Sequence, residues 1–360
     1  MNKKRIGLIG AAVGTAGAVG VGAVVAARRY AVGRARLTPD PDAGEPFGEL
    51  RGRPLTVEAS DGVPLHVEID GPDDAPLTVV FCHGYCLNED CWHFQRRDLG
   101  RDGDLRLVLW DQRSHGRSGR SDLTHATIDQ CGADLFAVLE ATVDPGTPVV
   151  LVGHSMGGMT IMALAESHPE LFEDGRIAAV ALINTSSGEL AELSLGLPMA
   201  FGKVFKTALP RVTRSLGKRA ELVERGRRAG ADVAFMVTRR IAFGDKRVSP
   251  SVVDFVEQMI RSTPIDVIAE FYPTLAAHDK LAALEVIRGL PALVVVGDED
   301  RLTPPAHGRL IAEILGDAEL VELSEAGHVT MMEHPEVVTR ALIRLIDRVR
   351  PVAEEEERSA

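Results

Sequence analysis

Gly153-His154-Ser155-Met156-Gly157 follows an apolar run, Val149-Val150-Leu151-Val152, and leads into an apolar stretch of helical pattern. G-x-S-x-G between a strand and a helix makes Ser155 a candidate nucleophile. The turn is so tight that the residues two before and two after the serine must be small. The serine oxygen then points off the sheet at a helix N-terminus, whose free N–H groups and dipole suit a developing oxyanion. The plainer alternative is a glycine-rich turn with a spectator serine, and the flanking elements argue against it.

A serine hydroxyl needs a base, and the base needs an orienting carboxylate. Ser324-Glu325-Ala326-Gly327-His328 follows the last apolar run and precedes the final helix, which makes His328 the candidate base. His334 reads as a surface or capping histidine. For the carboxylate two strand ends compete. Ile177–Ile183 ends on Asn184, which is not an acid. Ala292–Val296 runs into Gly297-Asp298-Glu299-Asp300-Arg301-Leu302-Thr303-Pro304. Asp300 is the preferred acid and Asp298 the runner-up, otherwise a turn cap. A second oxyanion donor is expected where Leu77–Cys82 meets His83-Gly84-Tyr85, with the N–H of Tyr85 pairing with that of Met156. The Tyr85 phenol is left for substrate contact or plain packing.

Other chemistry-bearing residues fit less well. Cys82, His83, Cys86, Cys91 and His93 fall within twelve residues, but they lack the paired C-x₂-C spacing of structural zinc. No metal is expected, and whether Cys86 and Cys91 pair stays open. Asp111-Gln112-Arg113-Ser114-His115-Gly116-Arg117-Ser118 reads as a loop brace beside the oxyanion segment.

These side chains need a scaffold that gathers strand ends. Leu55–Ala59 and Leu65–Ile69, around Asp61-Gly62, read as a hairpin. Short apolar runs at 77–82, 105–110, 149–152, 177–183, 292–296 and 320–323 suit parallel strands buried on both faces. Helical stretches near 127–142, 156–167, 305–315 and 335–349 separate them. The fold class is α/β: a mostly parallel sheet with helices on both faces. From 187 to 290 there is helical pattern and no convincing strand. This reads as a helical cap inserted before the penultimate strand, leaving 55–186 and 291–350 as the core.

Composition narrows the classes further. The chain has 360 residues, 45 % hydrophobic and 26 % charged, enough for a full core. With 4 % aromatics and a net charge of −12, nucleic-acid partners are not expected. Four cysteines do not form a secreted disulfide framework. Residues 188–247 carry 13 Lys+Arg against 6 Asp+Glu. That stretch is a solvated basic face or a contact for an anionic surface.

The N-terminus stands apart. Ile6–Ala27 is a 22-residue run without charge, flanked by Lys3, Lys4 and Arg5. About 20 apolar residues span a bilayer, so residues 1–30 are expected to anchor the protein to a membrane, with export as the alternative. Basic residues flank both ends, so the side is not readable. Residues 31–54 read as an extended linker and 351–360 as an acidic disordered tail.

The set HGY at 83–85, DQRSHGRS at 111–118, GHSMGG at 153–158, GDEDRLTP at 297–304 and GH at 327–328 resembles the serine α/β-hydrolases with a helical cap, the esterase- and lipase-like type. The resemblance runs from about 55 to 349, with 187–290 matching only as a cap position. Ser114 replaces a glycine common in these proteins, a change expected to be silent. The resemblance implies the α/β-hydrolase fold, a carboxylic ester or thioester substrate, an acyl-enzyme on Ser155 and no cofactor. Relatives with an aspartate nucleophile, the dehalogenases and epoxide hydrolases, do not match Ser155. The same triad also serves perhydrolases, C–C bond hydrolases and acyltransferases. A complete triad disfavours a non-catalytic ligand-binding protein. Met199, Phe201 and Phe205 are expected to line an apolar acyl pocket or to form the cap's own core.

Overall fold

The apolar runs fold into strands close to where their residue types place them. A computed structural model describes residues 38–101, 103–190 and 231–350. Its strands are β1 (Arg53–Glu58), β2 (Pro64–Asp70), β3 (Leu77–Cys82), β4 (Leu105–Trp110), β5 (Val149–His154), β6 (Ile177–Ile183), β7 (Ala292–Gly297) and β8 (Glu319–Leu323). The core helices are α1 (His93–Leu99), α2 (Ile128–Thr142), α3 (Met156–Ser167) and α4 (Glu170–Glu173). Helices α5 (Ala231–Ala242), α6 (Pro250–Ser262), α7 (Ile265–Ala276) and α8 (Ala283–Ile287) lie between β6 and β7. After β7 come α9 (Pro305–Leu315), α10 (Thr330–Glu333) and α11 (Pro335–Val349).

The strands form one sheet in the order β1-β2-β4-β3-β5-β6-β7-β8. β2 runs antiparallel to β1 and β4, and the pairs from β4 through β8 are parallel. The hairpin closes where expected: Glu58 faces Pro64, and Gly62 takes the positive φ of 82° that its turn requires.

Strand periodicity divides the core in two. Val79, Phe81, Val150 and Val152 point into one layer, packed with Phe94 and Leu99 of α1 and Leu342 and Leu345 of α11. Val80, Cys82, Val149 and Leu151 point into the other, against Leu135 and Val138 of α2, Ile161 of α3 and Ile311 of α9. Each fully buried aliphatic side chain of this kind contributes about 1.5–3 kcal/mol.

β8 departs from expectation. It lies at the sheet edge, so Leu320 and Glu322 face water and only Leu323 is buried. A second difference concerns residues 38–52, expected to be part of an extended linker. They run in turns and dock on both core and cap. Asp40 accepts hydrogen bonds from Ser251 N (3.2 Å) and Oγ (2.6 Å), at the start of α6. Phe47 stacks on Phe255 of α6 with ring centres 4.8 Å apart and meets Phe94 of α1 edge-on at 5.7 Å. The docking partners lie far along the chain, so local composition carries no sign of them.

Helix α7, in the stretch expected to form a cap, buries Val267, Phe271 and Leu275 against Met156, Met159 and Ala163 of α3. No helix among the described residues is long and apolar enough to cross a membrane. The expected anchor at 1–30, the tail at 351–360, the apolar residues Met199, Phe201 and Phe205, and most of the basic stretch lie outside the described residues.

Candidate active site

The site sits beyond the carboxyl ends of the parallel strands, where side chains from separate loops can converge. β5 ends on His154, and α3 begins at Met156, so one residue makes the whole turn. Ser155 therefore sits at φ 51° and ψ −115°, outside the ordinary regions for a side-chain-bearing residue. The glycines around it are there for want of space. A Cβ on Gly153 would lie 2.6 Å from the Gly157 carbonyl oxygen and the Gly158 nitrogen. A Cβ on Gly157 would collide with the Cys82 carbonyl, and one on Gly158 would meet Thr185 at 2.7 Å. The crowding predicted for the positions flanking the serine is what the structure shows.

His328 and Asp300 come together at the ends of β8 and β7. His328 Nδ1 donates to Asp300 Oδ2 at 2.9 Å, with Oδ1 at 3.1 Å. That leaves Nε2 as the ring nitrogen to work as a base. Asp300 is buried, and its Oδ1 accepts from Leu302 N (2.8 Å) and Thr303 N (3.0 Å). Its Oδ2 also accepts from Asn184 Nδ2 at 2.9 Å and Thr303 Oγ1 at 2.8 Å. Burial alone would push the Asp300 carboxyl up. The charge of His328 and these donors outweigh it, and the pKa lies below the ordinary carboxylate value. Asp298 is exposed and does not reach His328; its Oδ1 accepts from Ala326 N at 3.3 Å, as a turn cap would.

The His83–Tyr85 segment lies against the serine turn. A Cβ on Gly84 would lie 3.2 Å from Ser155 Cβ and 2.5 Å from His154 Nδ1. Met156 opens α3, so its N–H has no intrahelical acceptor. The Tyr85 phenol donates to the Ile268 carbonyl of α7. The 111–118 loop braces this segment as expected. Gln112 N donates to His83 Nε2 at 2.8 Å, and Gln112 Nε2 donates to the His83 carbonyl at 2.5 Å. Arg113 forms a bidentate pair with Asp134, both bonds 2.6 Å. The four cysteines are free and buried, so Cys86 and Cys91 do not pair.

Two residues close to the site carried no role in the sequence reading. Asn184 is not an acid, yet it bonds both Asp300 and the Gly327 carbonyl, the latter at 3.2 Å. Its place at the end of β6, beside β7, was the available signal. His154 donates through Nε2 to the His328 carbonyl at 2.8 Å, and the two rings lie 4.8 Å apart. The residue before the serine thus grips the backbone of the candidate base.

Burial keeps four histidines neutral. It pushes His83 and His278 down to about 4 and His115 and His154 down to about 3. All four folded values lie below the unfolded value of about 6.5. The unfolded chain therefore takes up protons first as pH falls. This stability is whole above about pH 6.5 and is lost on acidification. Burial also raises the carboxyls of Glu89 to about 10 and Glu333 to about 7, which works the other way. Burial raises the carboxyls of Asp111, Asp134 and Glu270 as well, so the histidine contribution is read as a difference between parent and variant. Urea midpoints of the parent should fall more between pH 7 and pH 5 than those of a folded His278→Gln variant, and equal falls would refute the neutral-histidine account.

Comparison with known proteins bears on the fold and the family. Residues 79–341 match the alpha/beta hydrolase family. The sn-1-specific diacylglycerol lipase ABHD11 of Mus musculus is 25 % identical over 306 residues, covering 82 % of this chain and 85 % of the lipase. A thermophilic esterase from Thermogutta terrifontis superposes with a TM-score of 0.63 at 25 % identity, covering 83 % of this chain and 99 % of the esterase. The enol-lactonase from Burkholderia xenovorans gives 0.62 at 26 % identity, covering 81 % of this chain and all of the lactonase, 100 %. With its eight-stranded sheet, its helical insertion before the penultimate strand and a match over most of its length, this chain belongs to the alpha/beta hydrolase family.

Proposed function

We propose that this protein is a serine hydrolase that cleaves carboxylic esters or thioesters through an acyl-enzyme. The observation that carries this reading is the buried His328–Asp300 pair at 2.9 Å, one ring away from the strained turn that presents Ser155. In this reading Ser155 attacks the carbonyl carbon while His328 Nε2 takes its proton. Asp300 holds the ring in the Nδ1–H tautomer and stabilises the imidazolium. The N–H groups of Tyr85 and Met156 receive the oxyanion. His328 then protonates the leaving alcohol or thiol. Water, activated by the same histidine, releases the acid.

A diacylglycerol lipase, an esterase and an enol-lactonase among the similar proteins support an ester bond as the target. The cap, assigned to 187–290, covers the start of α3 through α7 and so borders the acyl or alcohol side of the site. The reaction uses the chain's own residues at every step and asks for no cofactor. The deciding experiment is covalent labelling by a fluorophosphonate, together with hydrolysis of p-nitrophenyl esters of graded chain length. A folded protein that neither labels nor hydrolyses any of them would overturn the proposal.

A further inference from the structure

The end of cap helix α5 is tied to the loops that bear Asp300 and His328. The last carbonyls of a helix have no partner within it. Here the Ala242 carbonyl accepts from His328 N at 2.8 Å and from Val329 N at 3.2 Å. The Arg240 carbonyl accepts from Arg301 Nη1, next to Asp300. Glu333, from the short helix α10, adds a second tie. Its Oε1 accepts from Gly244 N at 2.8 Å and Asp245 N at 2.5 Å, just past α5. Its Oε2 accepts from Gly327 N at 2.6 Å, the residue before His328.

The two backbones touch closely enough that both contact residues must be glycine. A Cβ on Gly244 would lie 2.7 Å from the Ala326 carbonyl carbon. A Cβ on Gly327 would lie 2.5 Å from the Ala242 carbonyl oxygen. On its other side the His328 carbonyl is held by His154. The backbone of His328 is thus suspended between the cap and the serine turn.

We propose that Glu333 is a positioning residue that locks the His328 loop to the end of α5, so that the placement of the cap and of the base are set together. This rests on the reading of Ser155 and His328 as nucleophile and base. Above about pH 7, where Glu333 is ionised, a carboxylate accepting three backbone N–H groups from two segments joins them more firmly than any single bond of the kind. Glutamine at this position keeps the shape and one acceptor oxygen, but turns an amide N–H₂ toward donors on one of the two segments. The joint then opens while the fold is kept.

The test uses the full chain and p-nitrophenyl acetate at about pH 8.5, where Glu333 is ionised. Glu333→Gln should lower kcat by about 10²-fold, as a displacement near 1 Å does, with little change in KM. Glu333→Asp, a shorter carboxylate, should recover part of the loss. Arg301→Ala probes the same joint from an exposed position and should lower kcat in the same direction, whether or not Glu333→Gln folds. Thermal melting identifies the folded variants. A folded Glu333→Gln with kcat within about threefold of the parent, or a lowered melting point alone, would overturn the inference while leaving the labelled, active parent to support the triad. If Glu333→Gln does not fold, an unchanged kcat in Arg301→Ala overturns it instead. A parent that neither labels nor turns over overturns both.

Discussion

Ser155→Ala should abolish fluorophosphonate labelling and lower kcat on p-nitrophenyl esters by about 10⁴–10⁶-fold. In the proposed mechanism the variant loses the atom that forms the acyl bond, while the proposed oxyanion donors, which are backbone groups, stay in place. What remains is binding and charge stabilisation, worth about 10³–10⁴ over water. The substitution is also a clean one structurally. The Ser155 side chain is the N-cap of α3 but makes no capping hydrogen bond there. The strain at φ 51° belongs to the backbone and is carried by either residue. Circular dichroism and melting should therefore be close to those of the parent. A variant that still hydrolyses esters near the parental rate would move the nucleophile elsewhere.

Asp300→Asn should cost about 10⁴-fold in kcat, and Asp298→Asn should cost little. Asparagine in place of Asp300 offers an N–H₂ where His328 Nδ1 now finds an acceptor, and the ring would turn to the wrong tautomer. It would also face the donors Leu302 N, Thr303 N and Asn184 Nδ2 with one oxygen in place of two. Asp298 is exposed and holds a single 3.3 Å bond to Ala326 N, which asparagine can keep. Kinetics of the two variants side by side decide the matter. Equal losses, or the reverse order, would shift the carboxylate role to Asp298.

Much of this arrangement was legible in the chain because its signals are local. A short apolar run between turn residues is enough to mark β3 or β5. Gly153 to Gly157 is confined to one turn, and steric crowding there demands small residues whatever surrounds it. The choice between Asp298 and Asp300 was less local. The two differ in burial and in donors supplied by Asn184 and Thr303, and only the first of these has a faint sign in the spacing. Glu333 and the docked residues 38–52 had no local sign at all. Glu333 matters because Gly244 lies beside it, 89 residues earlier in the chain. Phe47 matters because Phe255 does. The edge position of β8 was likewise hidden, since strand order is a property of the whole sheet.

The packing of Phe47 and Asp40 has a practical reading for anyone cutting the chain. Residues 38–52, ahead of the first described strand, are packed into the fold. A recombinant fragment starting at Arg53 would keep every described strand and every proposed catalytic group. It would still leave the Phe255 ring without its stacking partner, and the amide and hydroxyl of Ser251 without their carboxylate. The loss would fall on the cap, and poor behaviour of such a fragment would be easily mistaken for a defect in catalysis.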